Sequence, residues 1–276
     1  MTTAQLATPE VNLYYTVRGA GPLLLILQGG AGNAEGSESM ANELAAHFTV
    51  VTHDRRGLSR STPIRSEAYE IASHADDAAQ LIAALSGEPA FVFGSSLGAL
   101  IGVELAARHP DLVRLLVAHE PALYGLFDGA ERDEALRGLT EALEAFRKEG
   151  LPAAMKIMVA RSGVDFNDRE PEVPLPATSA ADPKAAQRFA DLQHFLTCDV
   201  PAAARYRPDM AALAAAKSKI VPAAGNNSPR TFPYRSVTAL ADIIGRPIVE
   251  FPGGHTGYVL RPKAFARKLE ELFGAS

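Results

Sequence analysis

Residues 90–108 read "AFVFGSSLGALIGVELAAR". An apolar run ends at Gly94, two serines follow, and Gly98 opens a stretch rich in Ala and Leu. The apolar run reads as a strand buried on both faces, and the following stretch as a helix stopped by Pro110. Between them "GSSLG" fits G-x-S-x-G with Ser96 at the centre. Such spacing suits a sharp strand-to-helix turn. The central residue is strained and its side chain projects above the sheet edge. A larger residue two positions either side would strike the neighbouring strand or helix. The helix would also aim the positive end of its dipole at whatever reacts there. Ser96 is thus the candidate nucleophile, and Ser95, off the centre of the motif, is not.

Working outward, strand and helix patterns alternate. "VNLYYTVRG" (11–19) alternates apolar and polar positions, as a half-buried strand does. "PLLLIL" (22–27) and "TVVTHD" (49–54) read as buried strands, and "LVRLLVAHE" (112–120) follows the Ser96 helix as another. "ESMANELAAHF" (38–48), with Ser37 as its cap, and "EIASHADDAAQLIAALSG" (70–87), closed by Gly87, read as helices. The pattern changes over 124–215, which holds no clear strand. "RDEALRGLTEALEAFRKEG" (132–150) and "DPKAAQRFADLQHFL" (182–196) are amphipathic helical stretches, and the proline-rich 165–183 between them reads as a loop. Strand, helix, strand, helix then return at 218–225, 234–245, 247–254 and 262–274. This alternation predicts an α/β fold. A mostly parallel sheet is flanked by helices over residues 1–122 and 216–276, and a helical cap is inserted at 123–215.

The 276 residues, 47% hydrophobic and 21% charged, suit one large globular domain with an insertion. The net charge of −5, without a basic run, argues against nucleic acid as a partner. The longest apolar runs are too short to cross a bilayer, so no membrane partner is expected. The first residues show no basic segment followed by an apolar one, hence no signal peptide is expected. The single cysteine, Cys198, reads as a packing residue and suits a reducing, cytoplasmic compartment. A monomer or homodimer is expected.

Four segments in order resemble the α/β-hydrolase family over nearly the whole chain. They are the Ser96 turn, "LQGGAGN" (27–33), "HDRRGLSRS" (53–61) and "FPGGHTGY" (251–258). The second is similar to the family's H-G-G-x-G-N loop, with Gln28 in place of histidine. The third is similar to D-x-R-G-x-G-x-S, with Leu58 read at the second glycine. The fourth is similar to the loop that carries the catalytic histidine. The resemblance implies His255 as the base of a Ser-acid-His order along the chain. The other six histidines read as capping, packing or solvated groups, although His194 could face the cavity from the cap.

The family's acid usually stands in a G-x-x-D turn, but here that stretch is "AAGNNSP", without a charge. Glu120 is the replacement. It ends the strand after the Ser96 helix, on the same carboxyl edge of the sheet, where active groups of open α/β sheets gather. In that placement, after the family's sixth strand, the chain resembles zearalenone-lactonase-type members. Asp128 and Asp242 are the fallbacks. The backbone N–H groups of Gly30 and Leu97 are the expected oxyanion donors, with Gln28 and Asn33 tying the loop down. Asp54, Arg55 and Arg56 read as a salt-bridged turn bracing that loop. The cap offers Tyr124, Phe127, Met158 and Phe195 as substrate contacts, with Leu123, Leu126, Met155 and Leu196 as further apolar candidates.

A dinucleotide fingerprint at Gly30-Ala31-Gly32 fails at its third glycine, where Glu35 stands. No H-E-x-x-H or C-x-x-C pattern occurs, so no metal and no cofactor are expected. The implied function is a cofactor-independent serine hydrolase of a small ester or lactone, working through Ser96, His255 and Glu120. A carbon–carbon bond hydrolase or perhydrolase with the same triad, or a non-catalytic receptor on the same scaffold, would read alike. Haloalkane dehalogenases and epoxide hydrolases need an aspartate where Ser96 stands.

Overall fold

A computed structural model describes residues 1–64, 69–174 and 184–274. Its first half holds β1 (Thr2–Ala7), β2 (Val11–Arg18), β3 (Leu23–Leu27), α1 (Glu38–Leu44), β4 (Thr49–His53), the two-residue β5 (Thr62–Pro63), α2 (Ile71–Leu85), β6 (Ala90–Ser95), α3 (Leu97–Arg108) and β7 (Val113–His119). A helical block follows: α4 (Gly129–Glu149), α5 (Leu151–Ser162), α6 (Ala185–His194), a π-helical turn (Phe195–Asp199), α7 (Val200–Arg205) and α8 (Met210–Ala216). The chain then returns to the sheet with β8 (Ile220–Gly225), α9 (Phe232–Ile244), β9 (Val249–Phe251), α10 (Gly257–Leu260) and α11 (Pro262–Phe273).

The strands form one sheet in the order β1-β2-β4-β3-β6-β7-β8-β9, with β5 beside β2. Pairing is antiparallel around β2 and parallel from β4 to β9. The continuous apolar run of β3 has a simple cause. Leu23, Leu25 and Leu27 enter the core on the α2/α3 side, while Leu24 and Ile26 enter the core on the α1/α11 side. Each fully buried side chain contributes roughly 1.5–3 kcal/mol, so a polar residue anywhere in the run would cost on one face or the other. The last helix of the inserted block, α8, packs against α3.

Several local readings change. β1 has no hydrophobic signature because it is an edge strand, exposed along most of its length and held by its ladder to β2. Ser37 does not cap α1; its hydroxyl accepts a hydrogen bond from Gln28 Nε2 at 2.8 Å. α9 starts at Phe232 instead of 234, and α5, α7 and α8 join the two predicted helices of the inserted block. Of the loop predicted over 165–183, residues 175–183 lie outside the described residues, as do the first two residues of the predicted helix 182–196. Among the described residues no helix is long and apolar enough to cross a membrane.

Candidate active site

Ser96 stands between β6 and α3 with φ 54° and ψ −116°. Only Ser59, Ser96 and Glu120 among the described non-glycine residues have positive φ. Such backbone costs of order 1–3 kcal/mol and persists where surrounding contacts hold it. Here Ser96 N–H donates to His119 O at 2.9 Å, and Ser96 O accepts from Ala122 N at 3.2 Å. The flanking glycines are required by close approach. A Cβ on Gly94 would lie 2.5 Å from Gly98 O, and one on Gly98 only 1.9 Å from Leu27 O on β3.

His255 lies between β9 and α10, 8% exposed. Its Nδ1 is 2.7 Å from Glu120 Oε2. Glu120 follows β7 directly and is 1% exposed, and its other oxygen accepts from Gly225 N at 3.0 Å. Burial opposes the Glu120 charge. The His255 hydrogen bond, the neighbouring His119 and His255, and the Ser228 hydroxyl outweigh it, and the carboxyl is held down at about 2. Ser228 occupies the acid's place in the G-x-x-D turn, and its Oγ is buried without a hydrogen bond of standard geometry. Asp128 is 89% exposed and paired with Arg207, and Asp242 is exposed on α9. Neither fallback carboxylate reaches His255.

Ser96, Glu120 and His255 line one cavity of about 260 Å³ above the carboxyl edge of the sheet. No direct hydrogen bond joins Ser96 to His255, although both line the cavity. Gly30, with φ +52°, lines the cavity as well, and nothing lies within 4 Å of a Cβ built on it. Leu97 is the first residue of α3, so its N–H has no intrahelical acceptor. Its side chain, 2% exposed, points into the core and does not line the cavity.

Tyr124, Met155, Met158 and Phe195 line the cavity. Phe127 does not: it packs against Phe232 with ring centroids 5.7 Å apart. Leu123 and Leu196 are wholly buried in the core, and Leu126 packs beside it. Phe232 was missed from sequence. It lines the cavity and stacks on Tyr124 at 4.2 Å. Its signal was positional: it opens the helix that follows a strand's carboxyl end. A second, polar cleft shares His255 and Thr256 with the cavity and is walled by Asp165, Asn167, Asp168 and Asn227. His194 does not line the cavity. It packs where a Cβ on Gly57 would stand.

Gln28 and Asn33 do tie the loop down, through Ser37 and through Ser59 Oγ at 3.1 Å. The salt-bridged turn is built differently from expectation. Asp54 pairs with Arg60, Arg56 with Asp77 and Glu10, and Arg55 with Asp199. The position read as Leu58 is also corrected. Counting D-x-R-G-x-G-x-S from Asp54 puts the second glycine at 59, and Ser59 has the positive φ (46°) that a glycine there would adopt. Leu58 is buried in ordinary backbone. Among the described residues no group of three His, Cys, Asp or Glu side chains could hold a metal ion.

Two buried histidines make stability depend on pH. Burial, with Glu120 pulling upward and His255 downward, leaves His119 at about 4. Burial and the charges of Arg55 and His74 leave His53 at about 3. An unfolded histidine titrates near 6.5. Below that pH the unfolded chain therefore takes up protons that the folded chain refuses, and stability falls as pH falls. Each histidine should contribute about 1 kcal/mol per pH unit between pH 6 and 5. His119→Gln should flatten urea-derived stability against pH by that amount. An unchanged slope would mean that His119 is not held neutral.

A family model for the alpha/beta hydrolase fold matches residues 22–262. The chain is 36% identical over 272 residues to the uncharacterized hydrolase YraK of Bacillus subtilis (strain 168), covering 97% of this chain and 94% of that protein. Among solved structures it is similar to a thermophilic esterase from Thermogutta terrifontis, with TM-score 0.76, 19% identity and 100% and 99% of the two chains covered. It is likewise similar to the enol-lactonase from Burkholderia xenovorans LB400, with TM-score 0.73, 20% identity and 98% and 100% covered. The elbow, the strand order and the matched span agree, and this chain belongs to the alpha/beta hydrolase family.

Proposed function

We propose that this hydrolase is a cofactor-independent serine esterase or lactonase of small substrates, acting through Ser96, His255 and Glu120. The observation that carries the reading is the His255 Nδ1–Glu120 Oε2 contact of 2.7 Å at the edge of the cavity that Ser96 enters. With Nδ1–H donated to the carboxylate, Nε2 is the free base. Ser96 Oγ adds to the substrate carbonyl as Nε2 takes its proton. The N–H groups of Gly30 and Leu97 receive the oxyanion. The tetrahedral adduct collapses as Nε2 returns the proton to the leaving alkoxide. Water then repeats the sequence on the acyl-enzyme and frees the acid. Glu120 stabilises the imidazolium in both halves.

The core of residues 1–122 and 216–276 supplies this machinery, and the cap of residues 123–215 roofs it. The alcohol leaves from the His255 side, because His255 protonates it; the polar cleft begins there. The acyl portion then takes the apolar cavity against Met155, Met158, Phe195 and Phe232. The placement of Glu120 and the lactonase among the structural neighbours keep lactones beside open-chain esters as substrates.

A fluorophosphonate probe should label the wild type and not Ser96→Ala, and a panel of p-nitrophenyl esters should be hydrolysed. No labelling would favour a ligand receptor, and labelling without ester turnover would favour carbon–carbon or peracid chemistry. Across the panel kcat/KM should rise roughly tenfold per step of acyl length until the cavity is full. Phe195→Ala should move the optimum to a longer chain. An optimum that stays put would place the acyl group elsewhere.

A further inference from the structure

The least expected residue near the site is Arg55. It lies in the loop after β4, 2% exposed, and is the largest of the fully buried side chains. Its Nη1 donates to Gln28 O at 3.0 Å and to Gly32 O at 3.4 Å. Its Nη2 donates to Gly30 O and, at 2.9 Å, to Asp199 Oδ2. One guanidinium therefore holds three carbonyls of a five-residue loop. The fourth, Gly29 O, accepts from Gly32 N at 3.0 Å inside the turn.

The geometry has a consequence for the oxyanion donor. In a trans peptide the C=O and the next N–H point in opposite directions. With Gly29 O turned into the loop, the Gly30 N–H points away from the turn interior, and Gly30 is one of the residues that line the cavity. Gly30 itself, at φ +52°, has the backbone freedom to flip. Without Arg55 its carbonyl could rotate toward the cavity, where its dipole would oppose an oxyanion.

Asp199 completes the arrangement. It is wholly buried, and its other oxygen faces His74 Nε2 at 3.3 Å. It ends the π-helical turn whose first residue, Phe195, lines the cavity. A buried guanidinium with no counter-charge would be strongly disfavoured, so the inserted block supplies the anion that lets Arg55 stand under the loop.

We propose that Arg55 is a positioning residue that presets the oxyanion loop, and that Asp199 ties this presetting to the inserted helical block. The proposal rests on the serine-hydrolase reading above. Both residues act on the transition state and not on substrate capture, since neither lines the cavity.

The test is the double variant Arg55→Met/Asp199→Leu. Replacing a buried ion pair by apolar groups of similar size is often neutral for stability, so it leaves no stranded charge. On the p-nitrophenyl ester best used by the wild type, kcat should fall on the order of 10²-fold, the loss typical of one oxyanion donor, with KM within a few-fold. Affinity for a trifluoromethyl ketone of the same acyl chain should fall by a similar factor, while a non-hydrolysable ether of the substrate binds as before. Arg55→Lys, which keeps the charge but not the fork, should recover part of kcat. A folded double variant with wild-type kcat overturns the proposal, and so does an equal loss of affinity for ketone and ether. Should the double variant fail to fold, wild-type kcat in Arg55→Lys overturns it and a kcat loss at unchanged KM supports it. Failure of the underlying reading shows separately, as a wild type that takes no fluorophosphonate.

Discussion

Ser96→Ala is expected to lower kcat for ester hydrolysis on the order of 10⁵–10⁶-fold while the thermal midpoint moves by no more than a few degrees. The two expectations come from different atoms. The strain at φ 54° belongs to the backbone and to any residue with a Cβ, so alanine inherits it unchanged. The bonds that hold the turn run from Ser96 N to His119 O and from Ala122 N to Ser96 O, and none uses the hydroxyl. Only the hydroxyl oxygen, the proposed nucleophile, is lost. His255→Ala should lose about as much, and the double variant little more, because two residues that act as a unit do not lose activity additively. Steady-state rates with a burst-phase check for acyl-enzyme would measure this. Residual turnover above 1% of wild type in either single variant would remove Ser96 or His255 from the reaction.

Glu120→Gln is expected to lower kcat on the order of 10⁴-fold, for a reason beyond lost charge. Glutamine can turn its amide nitrogen toward Nδ1 of His255. That ring nitrogen then becomes the acceptor and the proton sits on Nε2, where the base is needed. The customary acid position offers a direct check. Ser228 stands there with its hydroxyl buried, beside a Glu120 carboxyl that it helps to hold ionised. In Glu120→Gln/Ser228→Asp a carboxylate approaches His255 from the β8 turn, and kcat should recover at least tenfold over Glu120→Gln alone. No recovery, with the protein folded, would mean that the turn cannot carry the charge. Should Asp128→Asn or Asp242→Asn be the crippling change, Glu120 is not the acid.

The elbow was legible because its constraint is steric and local: Gly94 and Gly98 are forced by contacts with α3 and β3, and the serine between them follows. The histidine loop was legible for a similar reason, since glycines at 253 and 254 mark a turn after an apolar strand. The three residues between Gly225 and Pro229 were legible by what they lack, an anion, and that absence pointed to Glu120. The cavity wall was less legible. Phe127 and Phe195 are both aromatics of the inserted segment, and nothing in their local patterns shows that one faces Phe232 while the other faces the cavity.

By itself the sequence determined the order of elements, the strained serine turn and the charge missing from the usual acid position, because propensity, periodicity and glycine placement act over a few residues. Tertiary structure alone decided which charges meet. Arg55 lies next to Asp54 in the chain, yet pairs with Asp199, 144 positions away, and its Nη1 and Nη2 also donate to three carbonyls of the 28–32 loop. Inside a protein an ion pair forms where burial removes water and packing brings the partner, and adjacency along the chain provides neither.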